Sequence, residues 1–196
     1  MLHLCKVKSV HQIRTNNCQK KGQPAIQFPF IFIITIISLY GCGSFQDPAH
    51  RPSPLVADSI STDTHSLSIA YSSPRVRQRK IWNSLVPFHK VWRTGANEAT
   101  VFETTRDLII NNQRLPKGKY AVFTIPSEDN WTIIFNREWD QWGAYGYDES
   151  KDQLRIEIKP EENYTHQEEM TFKLTDRSIE FRWETMGYQL PYRLAN

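Results

Sequence analysis

From Leu67 onward the chain alternates apolar and polar positions in short runs. Leu67, Ile69 and Tyr71 alternate with Ser68, Ala70 and Ser72, a period of two that predicts a half-buried strand ending at Pro74. Leu154, Ile156 and Ile158 alternate with Arg155, Glu157 and Lys159 in the clearest pattern of this kind, so one face of that strand belongs in a core. Residues 131–135, W-T-I-I-F, are apolar nearly throughout and predict a central strand. Residues 100–105, 107–111, 119–125, 168–174, 178–183 and 188–194 supply further β-rich runs, separated by turn signals such as L-P-K-G at 115–118 and Asp176-Arg177. Residues 81–86 predict a single helical turn before Pro87. About nine short strands without a strong amphipathic helix predict an all-β fold, an antiparallel β-sandwich or jelly-roll-like single domain; a closed lipocalin-like barrel is the alternative.

The pattern changes upstream. Residues 28–40, F-P-F-I-F-I-I-T-I-I-S-L-Y, form an uncharged apolar run, and the charged residues before it are all basic. A spanning helix needs about 20 such residues and a secretory core about 7–15, so the run reads as a signal peptide. Leu39 and Tyr40 at its end, with Gly41 and Cys42 after it, resemble a bacterial lipobox. The expected organisation is a cleaved lipoprotein signal over residues 1–41, a lipidated flexible tether over 42–64 and a β domain over 65–196. Pro48, Pro52 and Pro54 with abundant Ser, Asp and Thr give the middle segment its tether composition.

Charge and cysteine sharpen this division. The 196 residues carry 24 basic and 21 acidic side chains, yet Lys6, Lys8, Arg14, Lys20 and Lys21 lie before Cys42 with no acidic residue among them. The remainder therefore holds 19 basic against 21 acidic residues, near −2, and the basic balance is no signal for nucleic acid. All three cysteines, Cys5, Cys18 and Cys42, fall in the first 42 residues, so no disulfide can staple the domain. Its stability has to come from a core rich in aromatic residues.

One stretch does not follow the alternation. Residues 90–100, K-V-W-R-T-G-A-N-E-A-T, gather polar, chargeable and aromatic groups around Gly95 and read as a shaped loop. Val91 and Trp92 can anchor it, Gly95 can supply a backbone conformation with positive φ, and Arg93, Asn97 and Glu98 offer a guanidinium fork, an amide and a carboxylate. Arg93 and Glu98 either pair with each other and hold the loop, or Arg93 presents its fork to a ligand while Asn97 and Glu98 complete a pocket. A second candidate is residues 139–147, W-D-Q-W-G-A-Y-G-Y, where Trp142 and Tyr145 are the aromatic faces offered to a glycan or planar ligand; the same composition also suits a loop that caps the sandwich. The basic run at 75–80 reads as a solvated edge. No histidine pair has metal-ligand spacing, no phosphate-binding glycine motif occurs and no nucleophile elbow is present, so no metal, cofactor or catalytic residue is assigned.

The same stretch, with L-P-K-G-K-Y-A-V-F-T-I-P, N-W-T-I-I-F-N, Q-W-G-A-Y and D-Q-L-R-I-E-I-K-P after it, resembles a family of bacterial envelope proteins catalogued as domain of unknown function 2911. The likeness covers roughly residues 67–194. It implies a compact β domain exported to the envelope and brings no established activity. The expected protein is a lipid-anchored envelope protein, on the periplasmic side of the outer membrane, whose β-sandwich binds a ligand or partner such as a glycan or an envelope protein. An envelope hydrolase or lyase acting on a glycan, and a purely structural interaction module, are the alternatives.

Overall fold

The computed structural model describes residues 51–162 and 164–195. The signal peptide and the lipidated Cys42 expected from the sequence lie outside these residues. Eleven strands form among them: β1 (Leu55–Ser61), β2 (Ser66–Ser72), β3 (Ala96–Thr104), β4 (Leu108–Ile110), β5 (Gln113–Leu115), β6 (Gly118–Ile125), β7 (Trp131–Asn136), β8 (Asp152–Ile158), β9 (Gln167–Leu174), β10 (Ser178–Glu184) and β11 (Met186–Leu194). Six of them form one antiparallel sheet in the order β1-β2-β3-β6-β7-β8, and five form a second in the order β5-β4-β11-β10-β9.

The two-residue period decides what lies between the sheets. Leu67, Ile69 and Tyr71 of β2 and Leu154 and Ile156 of β8 point inward with Trp131, Ile133 and Phe135 of β7, against Met170, Phe172, Phe181, Trp183 and Tyr188 of the second sheet. Each large aromatic side chain buries about 150–250 Å², an upper contribution of about 4–6 kcal/mol at about 25 cal/mol per Å². Edges approach without joining, β1 beside β9 and β5 beside β8. The fold is therefore a sandwich, and the barrel alternative is excluded.

The apolar strand β7 has a different explanation from the one its composition suggested. It is second from the edge of its sheet, pairing with β6 and β8. Ile134 faces away from the main core yet is fully buried, because Ala99, Ala121, Phe123 and Ile134 form a second cluster on the outer face beneath Val91, Ala144 and Tyr147. The segment after β7 thus folds back over its own sheet.

Three further expectations are corrected. Residues 55–61 fall in the predicted tether but pair with β2 in register from Leu55↔Ser72 to Ser61↔Ser66. Their Ser- and Asp-rich composition hid the strand because it is an edge with little to bury: Leu55 and Val56 remain exposed. Residues 81–86 form no helical turn. Asn83 takes a left-handed φ of 55°, its N–H donates to the Val86 carbonyl at 3.0 Å, and the tight loop so formed inserts Ile81, Trp82 and Val86 into the core. Finally, β3 begins at Ala96, so half of the stretch read as a loop is strand.

Trp82 completes an aromatic cluster. Its ring centroid lies 4.6 Å from that of Trp131 and 5.9 Å from that of Trp183, while Trp92 stacks on Trp183 at 5.8 Å. The cluster backs directly onto the stretch from Trp92 to Glu98.

Candidate functional site

Trp92 and Val91 leave the chain toward opposite faces of the first sheet. Trp92 enters the main core and Val91 covers the outer cluster. The backbone N–H and carbonyl of Trp92 each bond Thr124 at 2.8 Å, which fixes the start of the loop on β6. Thr94 is fully buried with φ of 50°, an unusual conformation for a β-branched residue. Its hydroxyl lies 2.9 Å from that of Thr124 and its carbonyl accepts from the Thr100 hydroxyl at 2.8 Å, so neighbouring groups hold the strained turn in place.

Gly95 is not the positive-φ residue the sequence suggests; Thr94 and Asn97 have that role. Glycine is needed at 95 for close approach. A Cβ there would stand 3.1 Å from both the Ser72 carbonyl and the Thr100 hydroxyl, and the Gly95 carbonyl accepts from Trp92 Nε1 at 3.0 Å.

Asn97 and Glu98 are held by the chain itself. Asn97 Nδ2 donates to the Ser53 carbonyl and the Ser72 hydroxyl, both at 3.2 Å. Glu98 does not pair with Arg93. Its carboxylate takes the Arg51 guanidinium on one oxygen and the Ser72 hydroxyl on the other. Residues 51–53 are thereby strapped across the loop from the segment expected to be tether. Burial alone would raise the Glu98 carboxyl, but hydrogen bonding and charge from Arg51, its own backbone amide and Ser72 hold it below the usual glutamate range.

That direction predicts an acid response. A depressed folded-state pKa means the unfolded chain binds more protons, so the contribution is present above the ordinary glutamate pKa and is lost as pH falls through the folded value. Because the pair is partly exposed, the loss should be under about 1 kcal/mol. Thermal melts on acidification should show the wild type losing slightly more stability than Glu98→Gln; equal losses would count against the strap.

Arg93 is the group without a partner. It is half-buried, no carboxylate among the described residues lies within ion-pair distance, and its buried Nε has no acceptor among them. Burial pushes its guanidinium below the usual arginine range, with nearby Tyr145 opposing the shift. An arginine in protein remains charged, so the shift reports desolvation that no described carboxylate offsets.

The aromatic segment 139–147 arrives beside it. The Ala99 N–H donates to the Gln141 carbonyl at 3.1 Å and Glu98 bridges Trp142 through the backbone. Gly143, at φ of 67°, turns the chain so that a Cβ there would meet the Tyr145 ring at 3.3 Å and Arg93 Cδ at 3.8 Å. The segment divides between a cap and an exposed surface. Ala144 and Tyr147 cap the outer cluster, Tyr147 edge-on to Phe123 at 5.1 Å, whereas Trp142 and Tyr145 stay 57% and 90% exposed. The Arg51 guanidinium lies 5.9 Å from the Trp142 ring centroid.

Of the six candidate ligand-binding residues, the structure gathers Arg93, Trp142 and Tyr145 at one surface. It places Trp92 in the core and gives Asn97 and Glu98 internal partners. Behind Arg93 opens a cavity of about 210 Å³ whose wall includes Ser53, Arg79, Trp92 and Trp183. Larger clefts of about 520 and 400 Å³ lie where the sandwich edges fail to join, between β1 and β9 and between β8 and β11, away from the loop. Arg51, Ser72 and Trp183 carry no local signal that would have marked them, since each reaches the loop through tertiary folding. The basic run behaves mainly as an edge: Arg75 pairs with Glu169, and Arg79 Nε donates to the Val76 carbonyl at 3.0 Å. Among the described residues no group of three or more His, Cys, Asp or Glu side chains is placed to hold a metal ion.

No curated protein and no solved structure matches the chain. The family described as protein of unknown function (DUF2911) matches residues 53–192, taking in Ser53 and β1 upstream of the expected limit. A match over that much of the chain, which includes the strapped loop and the strands around it, makes this protein a member of the DUF2911 family.

Proposed function

We propose that this domain is a ligand-binding module of the bacterial cell envelope, anchored by lipid at Cys42, and that its ligand is an envelope glycan engaging Arg93, Trp142 and Tyr145. The observation that carries this reading is Arg93, a half-buried guanidinium with an unsatisfied Nε beside two exposed aromatic faces. A desolvated charge without a partner is unfavourable until an acceptor arrives, and exposed aromatic rings gain most when a ligand covers them. Binding is favoured over glycan hydrolysis because Glu98, the nearest carboxylate of the loop, is engaged by Arg51 and Ser72 and shifted downward. A general base is tuned toward the operating pH instead.

The short apolar run ending at Leu39-Tyr40, with Gly41 and Cys42 after it, supports the anchor, and the proposed location is the periplasmic side of the outer membrane. Full-length protein purified from membranes and applied to an array of envelope glycans should be retained. Arg93→Ala and Trp142→Ala should lose retention while melting within about 1 kcal/mol of the wild type, because neither side chain closes an internal ion pair. A wild type that retains no glycan would sink the binding reading. Metabolic labelling with a fatty acid checks the anchor: Cys42→Ser should lose the label, and an unlabelled wild type would remove that part.

A further inference from the structure

The cavity behind Arg93 is supplied with hydrogen-bond donors and lacks acidic side chains. Arg93 and Trp183 both line it, and each keeps a buried N–H, Nε and Nε1 respectively, that no described group accepts. Buried donors without acceptors are rare enough that each calls for a reason, and two at one cavity point to a shared acceptor from outside the chain. The other indole in the wall, Trp92, already donates to Gly95. No Asp or Glu contributes to the lining, and Glu98 is held elsewhere by Arg51 and Ser72.

Size and charge narrow the acceptor. At about 210 Å³ the space holds several water molecules, enough for one acid group on a short stem. Arg79 stands in the wall, but its guanidinium already donates to the Arg75 and Val76 carbonyls. The charge of Arg79 is not neutralised by those carbonyls and adds to the attraction for an anion, while the planar fork of Arg93 suits the two oxygens of a carboxylate. Pro74, Leu85 and Val86 supply apolar wall for the stem.

We propose that this cavity receives a carboxylate on a short stem, the acidic substituent of the ligand whose body rests on Trp142 and Tyr145, with Arg93 and Trp183 donating to its oxygens. The inference rests on the glycan-binding reading above, since Arg93 belongs to both the cavity and the exposed surface, but it can be tested apart from it. Butyrate is the probe and butyramide, of the same shape without the charge, its control. In nitrogen-15 spectra of tryptophan-labelled full-length protein, butyrate should move the Trp183 indole resonance downfield saturably and butyramide should not. Trp183→Phe identifies that resonance by its loss, and Arg93→Lys should weaken butyrate at least tenfold. Should Trp183→Phe fail to fold, titration of wild type against Arg93→Lys decides the point by itself. An indole spectrum unmoved by butyrate, or moved equally by butyramide, overturns the proposal. Glycan retention together with an inert butyrate titration would leave the binding module standing without this cavity. A butyrate response in a protein that retains no glycan would keep the cavity and remove the glycan.

Discussion

Ile156→Asp is expected to unfold the domain or bring it to the edge of unfolding. Ile156 is fully buried in β8, opposite Ile133 of β7, and belongs to the cluster that contains Trp131 and Phe135. A carboxylate at that position has no donor in the alternating pattern to receive it, because the outward neighbours Arg155 and Glu157 leave the strand on the other face. Burying an unpaired polar group adds to the lost packing, so the cost should exceed about 4 kcal/mol, a large part of the about 5–15 kcal/mol that holds a typical domain folded. Glu157→Ala on the same strand is the control and should lie within about 0.5 kcal/mol of the wild type. Urea titrations of the three proteins decide it; an Ile156→Asp midpoint near that of the control would show that β8 is not packed as described.

Gly187→Ala should be the next most damaging change. A Cβ at 187 would stand 2.5 Å from the Phe181 carbonyl oxygen and 2.9 Å from the Tyr164 ring. The first obstacle is backbone and cannot rotate away. Nor can β11 retreat: Gly187 pairs with Arg182 across the β10–β11 hairpin and exchanges two hydrogen bonds, 3.0 and 2.8 Å, with Glu161 on its other side. Overpacking against a backbone pinned on both sides should cost about 3 kcal/mol. Gly146→Ala offers the contrast, since its Cβ would meet only the flexible end of Gln141, at 3.4 Å. Calorimetric melts should separate the two clearly, and a benign Gly187→Ala would mean the hairpin can shift register.

What could be read from the sequence follows from how local each determinant is. β2 and β8 were visible because burial on one face writes itself as strict alternation at Leu67, Ile69, Tyr71 and at Leu154, Ile156. β7 was visible as a strand, but its apolar outer residue Ile134 reflects a loop folded over the sheet rather than a central place in it. β1 was missed because an exposed edge strand needs no apolar face: Val56, Asp58 and Ser59 look like tether until β2 pairs with them. At the candidate site, the residue types near Gly95 signalled a shaped turn. The pairing could not be read, since Glu98 takes Arg51, 47 residues away, in preference to Arg93 close by in sequence. The aromatic segment was legible as two competing roles, and only the fold shows that Tyr147 caps the outer cluster while Trp142 and Tyr145 stay exposed.

The tryptophan cluster has a consequence for how this protein handles light. Four of its six indoles, Trp82, Trp92, Trp131 and Trp183, sit with neighbouring centroids between 4.6 and 6.1 Å apart, while Trp142 stands in solvent. Transition dipoles at such spacing do not absorb independently. The ultraviolet circular dichroism should therefore carry an exciton couplet superimposed on the sheet signal, one that a secondary-structure fit would misread as altered strand content. Excitation should also migrate among the four rings before emission, so a disturbance at any one of them dims or shifts the fluorescence of all. Iodide, unable to enter the core, should quench the exposed Trp142 and Trp139 and leave the cluster bright, giving two optical channels in one chain: one for the interior and one for the surface.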